Sequence, residues 1–95
     1  MKYLVILSNQ SIIGRIYAKG NNDGYVSDGT EKHPVLSCTE VVTDNPYYVF
    51  AKRDLSGQGK SHQSLHIPHT SVVAIYHYAD EGSKPMGFIA PDGSL

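Results

Sequence analysis

Histidines are the residues of this chain whose type and spacing best suit metal chemistry. Three of the five lie close together, at His62, His66 and His69, and His77 follows in the next apolar segment. A structural zinc site needs about four nitrogen or sulfur ligands that converge on one point. Only Cys38 could complete the set, and no acidic residue has a suitable spacing. We therefore interpret the histidines as surface residues and predict no metal site.

Nucleophilic catalysis and phosphate binding have little support in the sequence. No serine stands in a nucleophile elbow, and no glycine-rich loop leads into a helix. The segment 57–61, GQGKS, is similar to the end of a phosphate-binding loop, but it lacks the four-residue gap between the glycines. We interpret it as the tip of a flexible loop. The sequence accordingly predicts no catalytic residue, no cofactor and no enzymatic activity.

The composition indicates one domain without a strong charge. A chain of 95 residues fits a single domain, and eight Lys and Arg against nine Asp and Glu give a formal net charge of −1. Proteins that bind duplex nucleic acid by charge are usually basic. Duplex DNA is therefore not an expected partner, and any site for nucleic acid must be local.

The cysteine content and the apolar runs bear on the location of the protein. Cys38 is the only cysteine, which excludes an intramolecular disulfide and favours a reducing compartment. The apolar run 3–7 is too short for a signal peptide, and polar residues 8–10 follow it at once. No run approaches the ~20 apolar residues of a membrane span. We expect a cytoplasmic protein without a membrane partner.

The elements that would position any site are β-strands. Residues that favour strands recur in short runs between polar turns, which predicts an all-β fold. Strands are predicted at 3–7, 11–19, 35–43, 65–67 and 72–78, and residues 47–52 are also strand-like. Gly14 inside the second strand suggests a sharp bend. The polar segments near 20–34 and 44–63 are predicted as insertions in one domain over residues 1–79, and residues 80–95 as an irregular tail.

Two segments of this pattern resemble the bipartite motif of Sm-like proteins. The first, residues 4–18, is an apolar strand, a polar turn and a strand that contains a glycine. The residues that match in spacing are Val5, Leu7, Ile12, Gly14 and Ile16. The second segment, residues 64–79, is a short strand, a one-turn break at residues 68–70 and a last strand. Residues 35–40 are similar to the family's middle strand, with two aliphatic residues first and an acidic residue at the end.

The resemblance implies a fold and a function. The fold is a small, strongly bent, five-stranded antiparallel barrel of the Sm-like, SH3-like type, without an N-terminal helix because the first strand starts at Tyr3. The function is a homo-oligomeric ring, from pentamer to heptamer, that binds single-stranded RNA rich in U or A and performs no catalysis. A ring-forming protein-interaction scaffold that does not bind RNA is the alternative. A different small barrel that acts as a monomeric adaptor is a third possibility.

The resemblance also implies where RNA would bind. His69 falls where the bacterial Hfq branch of the family carries a uridine-contacting histidine. Departures from the family pattern occur at Pro68, which replaces a lysine of that branch, and at Gly20, which replaces an aspartate. The complete set of expected RNA-binding residues is His69, Thr70, Asn21, Asn22 and Asp23.

The subunit interface is expected at the last strand. In the Sm-like pattern this strand pairs with the preceding strand of a neighbouring chain. The residues expected at this interface are Leu65, Ile67, Val73, Ala74 and Ile75. A strand with apolar residues on both faces is not suited to face water, which agrees with this expectation.

Overall fold

The computed structural model describes residues 2–55, 62–78 and 85–90, and these form a mostly β chain with one short helix. In chain order the elements are β1 (Lys2–Leu7), α1 (Ile12–Ala18), β2 (Tyr25–Ser27), β3 (Lys32–Val42), β4 (Tyr48–Asp54), β5 (His62–Pro68), a 3-10 helix (His69–Ser71), β6 (Val72–Tyr78) and β7 (Phe88–Ile89). Every strand pair is antiparallel. The predicted all-β class is confirmed at this level, with seven strands where five were expected.

The sheet places the last long strand beside the first. The order along its main path is β5-β4-β3-β1-β6, and β2 pairs with both β3 and β7. Val5 at the centre of β1 is opposite Leu36 of β3 on one side and opposite Ile75 of β6 on the other. In the described residues β5 pairs only with β4, and β6 only with β1. These two strands, which follow each other in the chain, are therefore the two edges of the path.

The strand predicted over residues 11–19 is wrong, because this segment forms α1. Ser11 caps the helix: its Oγ accepts the Gly14 N–H at 3.0 Å and donates to the Ser8 carbonyl at 2.7 Å. A side chain that satisfies a first-turn N–H stabilises a helix start. Gly14 and Tyr17 are the buried positions of α1, a helical spacing of three. The isoleucines of this segment fit an alternating pattern as well as a helical one.

Gly14 has a different role from the strand bend that was predicted. The glycine is buried where α1 turns back over the end of β1. A Cβ at this position would collide with the Ser8 carbonyl oxygen and would crowd Ser11 Oγ. Glycine is therefore required here because the helix approaches the Ser8 backbone closely, and not because of an unusual φ.

β1 is buried on both faces and divides the core into two clusters. On one face Val5 and Leu7 pack with β3, β4, β5 and α1 through Leu36, Cys38, Ala51, Ile67 and Tyr17. On the other face Leu4 and Ile6 pack with Val35, and Val26 and Ala74 border this cluster. Burial of each such aliphatic side chain contributes about 1.5–3 kcal/mol relative to exposure. The core is thus centred on the strand that joins β3 to the edge strand β6.

Two predicted polar regions contain short strands. The polar segment predicted near 20–34 includes β2, which pairs with the first residues of β3 across a turn at Asp28–Glu31. Within the predicted tail, Phe88 and Ile89 form β7 and pair with Val26 and Tyr25. The segment 57–61, predicted as a loop tip, lies outside the described residues.

Candidate functional site

The loop after α1 uses one of its predicted RNA-binding side chains to hold itself in place. Asn22 Nδ2 donates to the Tyr17 carbonyl at 2.7 Å and to the Tyr25 hydroxyl at 3.1 Å, while its Oδ1 accepts the Gly24 N–H at 3.0 Å. Both ends of the amide are therefore occupied within the fold. Asn21, by contrast, is exposed with a φ of 60°. Asn21 is thus the more exposed of these two asparagines.

Asp23 is the centre of an internal polar network. Its Oδ2 accepts the Ser37 N–H at 2.7 Å and the Nη2 of Arg53 at 3.1 Å. Arg53 also donates through Nη1 to Gln63 Oε1 at 3.1 Å, and its guanidinium carbon lies 5.5 Å from the centre of the Tyr17 ring. The Arg53 side chain is fully buried, and its Nε has no partner in the described residues. The carboxylate of Asp23 is thus used to compensate a buried cation.

Arg53 is not among the predicted site residues, although its position in the sequence indicates a buried side chain. Val49 and Ala51 are buried core residues of β4, and Arg53 continues the same alternation. A strand has a side-chain period of two, so a residue two positions beyond a core residue faces the core as well. An arginine at such a position requires an internal acceptor. Asp23, thirty positions earlier in the chain, could not be identified as that acceptor from spacing.

The second predicted RNA-binding turn is a 3-10 helix on the surface. The Nε2–H group of the His69 ring donates to the Asn45 carbonyl at 2.7 Å, and the His69 backbone N–H donates to the Tyr47 carbonyl at 3.3 Å. His69 thereby fastens the turn to the loop that precedes β4. His69 and Thr70 are both exposed, and the Thr70 hydroxyl has no hydrogen bond to the described residues.

The structure does not bring the two predicted turns together into one site. No hydrogen bond, ion pair or ring contact joins residues 21–23 to residues 68–70 in the part of the chain that the structure describes. The 3-10 helix instead faces α1 across a groove of about 600 Å³. Apolar side chains of Ile13, Ile16 and Pro68 line this groove, and Thr70 stands at its polar side. Pockets of about 300–1,000 Å³ with this mixture are the usual form of a ligand site.

The residues predicted at the subunit interface divide between core and surface. Ile67 is fully buried, and Leu65 and Ile75 are half-buried against the same core cluster. Ala74 borders the second cluster, while Val73 is 54% exposed. The side chains on β5 and β6 thus serve mainly the interior of the subunit. What both strands leave open along the edge is backbone, which is the group that pairs strands.

Histidines of β5 and β6 contact aromatic rings instead of converging. The His66 ring lies 4.7 Å from the Tyr48 ring in an edge-on arrangement and 5.5 Å from the Phe50 ring. The His77 ring stacks on Tyr3 at 4.6 Å with an interplanar angle of 13°. His66 and His77 thus lie on opposite edges of the sheet. The side chain of His62 is outside the described residues.

Another group of possible metal ligands lies at the β2–β3 turn. Ligand atoms of Asp28, Glu31 and His33 all lie within 4.8 Å of one another. The Asn9 N–H donates to His33 Nδ1 at 3.2 Å, so the lone pair of this nitrogen is already used within the fold. The backbone N–H groups of Glu31 and Thr30 lower the pKa of Asp28 to about 2. These contacts favour a hydrogen-bonded turn over a metal site.

Cys38 has no features of a nucleophile. The residue is 1% exposed, in the cluster between β1 and β4, and its Sγ lies 3.7 Å from the Leu36 carbonyl oxygen. Burial raises the pKa of the Cys38 thiol to about 12 from its ordinary 9.0. Because the thiolate is the reactive form, this thiol is inert in the folded chain near neutral pH.

In the described residues, no helix has the length and apolar character that crossing a membrane requires. The chain matches no family model, no curated protein and no solved structure.

Proposed function

We propose that this chain is an Sm-like subunit that assembles head to tail into a closed homo-oligomeric ring and binds single-stranded RNA without catalysis. The observation that carries the proposal is the placement of β5 and β6 at opposite edges of the sheet, with one 3-10 turn between them. The buried Cys38 thiol agrees with the reducing cytoplasm that we propose as the location of the protein.

The short connection between the edges supports a strongly bent barrel. Pro68 ends β5 and Val72 begins β6, so four peptide steps cover the distance between them. Four steps of extended chain span at most about 14 Å. A flat sheet with three strands between β5 and β6 would separate them by about 19 Å. The sheet must therefore curl until these strand ends approach each other, although β5 and β6 do not pair in the described residues.

The open edges support assembly of identical subunits. Each edge strand has seven residues and presents N–H and C=O groups that no strand of the described chain pairs. Such edges are templates for pairing with another chain. Pairing of β5 in one copy with β6 in the next is a head-to-tail contact, which yields a closed ring when the rotation between copies closes.

The RNA-binding part of the proposal rests on the surface turn. His69 and Thr70 are exposed next to a groove of ligand size, and a ring would repeat this site once per subunit. A single strand that touches several copies gains affinity through effective concentration. Single-stranded segments are also the RNA form that proteins read by base contacts.

Two measurements test the proposal. Light scattering coupled to gel filtration should give a mass of several chains, in the pentamer to heptamer range that the resemblance implies. Fluorescence anisotropy with labelled oligouridylate and oligoadenylate should show binding at low salt. A monomer at micromolar concentration would exclude the ring and leave the adaptor barrel as the remaining interpretation.

A ring-forming scaffold that does not bind RNA is the second candidate. The internal hydrogen bonds of Asn22 and Asp23 favour it, because they remove two of the five side chains assigned to RNA. An assembly of the expected mass that binds neither oligonucleotide at low salt would select this function.

A further inference from the structure

We propose that helix α1 supplies the phosphate-binding cations of the RNA site, and that one base of the bound strand enters the groove between α1 and the 3-10 helix. This inference rests on the proposed RNA-binding function and assigns that function to a surface outside the predicted loop at residues 21–23. It adds Arg15, Lys19, Ile16 and Pro68 to the site and retains Thr70.

The exposed face of α1 combines cations with apolar side chains. Its exposed residues are Ile12, Arg15 and Ile16, and the exposed C-cap residue Lys19 continues the same spacing of three and four, so all four share one face. Ile12 is 73% exposed and Ile16 is 61% exposed. Large apolar side chains that a fold leaves in water beside a groove indicate a contact surface.

The charge of this face fits an anionic partner. Residues 8–22 contain Arg15 and Lys19 and no acidic residue. Within the described residues the ion pair is formed by Arg53 and Asp23, and neither Arg15 nor Lys19 has a carboxylate partner. Arg15 and Lys19 are four residues apart, so their Cβ atoms stand about 5–6 Å from each other on the helix surface. Two adjacent cations suit a polymer with one negative charge at every unit.

The groove fits the apolar face of a base. Ile16 lines it from α1 and Pro68 from the end of β5, so a flat ring between them would contact aliphatic carbon on both sides. The Thr70 hydroxyl, which has no partner in the described residues, can donate to or accept from a base edge. Gln10 at the other end contacts the Glu31 carboxylate at 3.4 Å. That negative charge directs the phosphates toward the Lys19 end.

The surface turn alone lacks the charge for this task. Pro68, His69 and Thr70 contain no lysine or arginine, and the His69 ring is hydrogen-bonded to the Asn45 carbonyl. Affinity for a nucleic-acid strand comes largely from neutralised phosphates. Helix α1, in the place of the predicted second strand, supplies these cations. Arg15 and Lys19 line a pocket that shares Ile12 and Ile16 with the groove beside Thr70, so the two lie next to each other.

The first test removes the two charges. Anisotropy titrations with labelled oligouridylate at several salt concentrations compare the wild type with Arg15→Gln/Lys19→Gln. Loss of two phosphate contacts on a single strand should reduce the log–log salt slope by about 1.4 and weaken binding about tenfold near 0.15 M salt. The matched control is Lys2→Gln/Lys52→Gln, which removes the same charge from β1 and β4 and should change neither value appreciably.

The second test separates the groove from the charges. Ile16→Gln and Thr70→Val keep the net charge, so each should weaken binding severalfold and leave the salt slope unchanged. Both residues are exposed, and urea unfolding should show that these variants keep the wild-type stability. Polyglutamate, which carries charge without bases, should fail to displace the oligonucleotide at matched charge concentration.

Several outcomes would overturn the inference. If the wild type binds RNA and the α1 double variant behaves like its control, the helix is not the site and the RNA function stands. If the wild type binds no RNA, both proposals fall. If the α1 variants change the mass of the assembly, this face is a contact between copies. Displacement by polyglutamate would assign the face to acidic peptides.

Discussion

Arg53 Nη2 lies 3.1 Å from Asp23 Oδ2, and this ion pair joins β4 to the loop that follows α1. The same carboxylate oxygen accepts the Ser37 N–H of β3 at 2.7 Å. The Arg53 side chain is fully buried, whereas that of Asp23 is 28% exposed. One oxygen therefore connects three parts of the chain. The Oδ2 atom of Asp23, a residue expected to bind RNA, is thus already used within the fold.

Replacement of Asp23 by alanine should destabilise the fold. The change leaves the buried guanidinium of Arg53 without its counter-charge and the Ser37 N–H without its acceptor. We expect a loss of about 2–3 kcal/mol in the free energy of unfolding, below the ~3–5 kcal/mol typical of a fully buried pair because Asp23 keeps some solvent contact. Urea unfolding followed by circular dichroism measures the change.

The double variant Asp23→Ala/Arg53→Met is the control for this interpretation. A methionine that fills the space of Arg53 removes the uncompensated charge, and such replacements are often neutral. The double variant should therefore be more stable than Asp23→Ala alone. An equal or greater loss in the double variant would show that packing of the Arg53 stem over Tyr17, and not its charge, dominates.

The sequence allowed the strands to be predicted better than the connections between them. The last strand was predicted at residues 72–78 and is found at Val72–Tyr78, because a β-branched and aromatic run after a one-turn break has few alternatives. Helix α1 was missed because its isoleucines favour a strand by propensity, while the Ser11 cap and the close approach at Gly14 depend on the fold around them. Local propensity does not contain such tertiary contacts.

The candidate site was harder to predict than the fold. His69 and Thr70 were expected on a surface turn, and both are exposed there. Asn22 and Asp23 were expected in the same site, but their side chains bind to Tyr25 of β2 and Arg53 of β4. Polar side chains in a loop have the same appearance in sequence whether they face a ligand or hold the loop. Only the three-dimensional positions of their partners distinguish these cases.

Gly14→Ala should destabilise the protein although alanine favours helices. Within a helix this change normally gains about 1 kcal/mol. Here the added methyl group would collide with the Ser8 carbonyl oxygen, which is backbone and cannot turn aside. Overpacking of this kind costs about 1–3 kcal/mol, so a net loss of stability is expected in thermal unfolding. Arg15→Ala on the exposed face of α1 is the matched control and should have a small effect. A more stable Gly14→Ala protein would contradict the close approach.

Cys38 should be unreactive while the protein is folded. The raised pKa of about 12 keeps the thiol protonated near pH 8, and its 1% exposure blocks access. A disulfide reagent such as Ellman's should therefore react with Cys38 only in urea. The raised pKa of Cys38 also makes the stability of the fold depend on pH. Between about pH 9 and pH 12 the unfolded chain loses this proton and the folded chain keeps it, so stability should fall as pH rises through this range. Rapid reaction at pH 8 without denaturant would show that this part of the core opens.

A lysine on the edge strand β6 should impair assembly, whereas the same change on a central strand should not. Val73 lies on β6 and is 54% exposed, at the position where the β1–β6 register shifts. Val42 on β3 is 37% exposed and pairs with Phe50 of β4, away from the β5 and β6 edges. Natural sheets place lysine on edges because a charge there opposes pairing with a second chain. Val73→Lys should therefore lower the mass measured by light scattering toward that of single chains.

Val42→Lys is the matched control, with the same added charge on a strand inside the sheet path and outside the proposed β5–β6 seam. It should retain the assembly mass of the wild type. Both substitutions are at exposed positions, where a polar replacement usually changes stability by less than about 0.5 kcal/mol, and circular dichroism should confirm that each variant is folded. If both variants assemble like the wild type, β6 is not the seam between subunits. If both dissociate, the added charge weakens assembly through some other surface than the β6 edge.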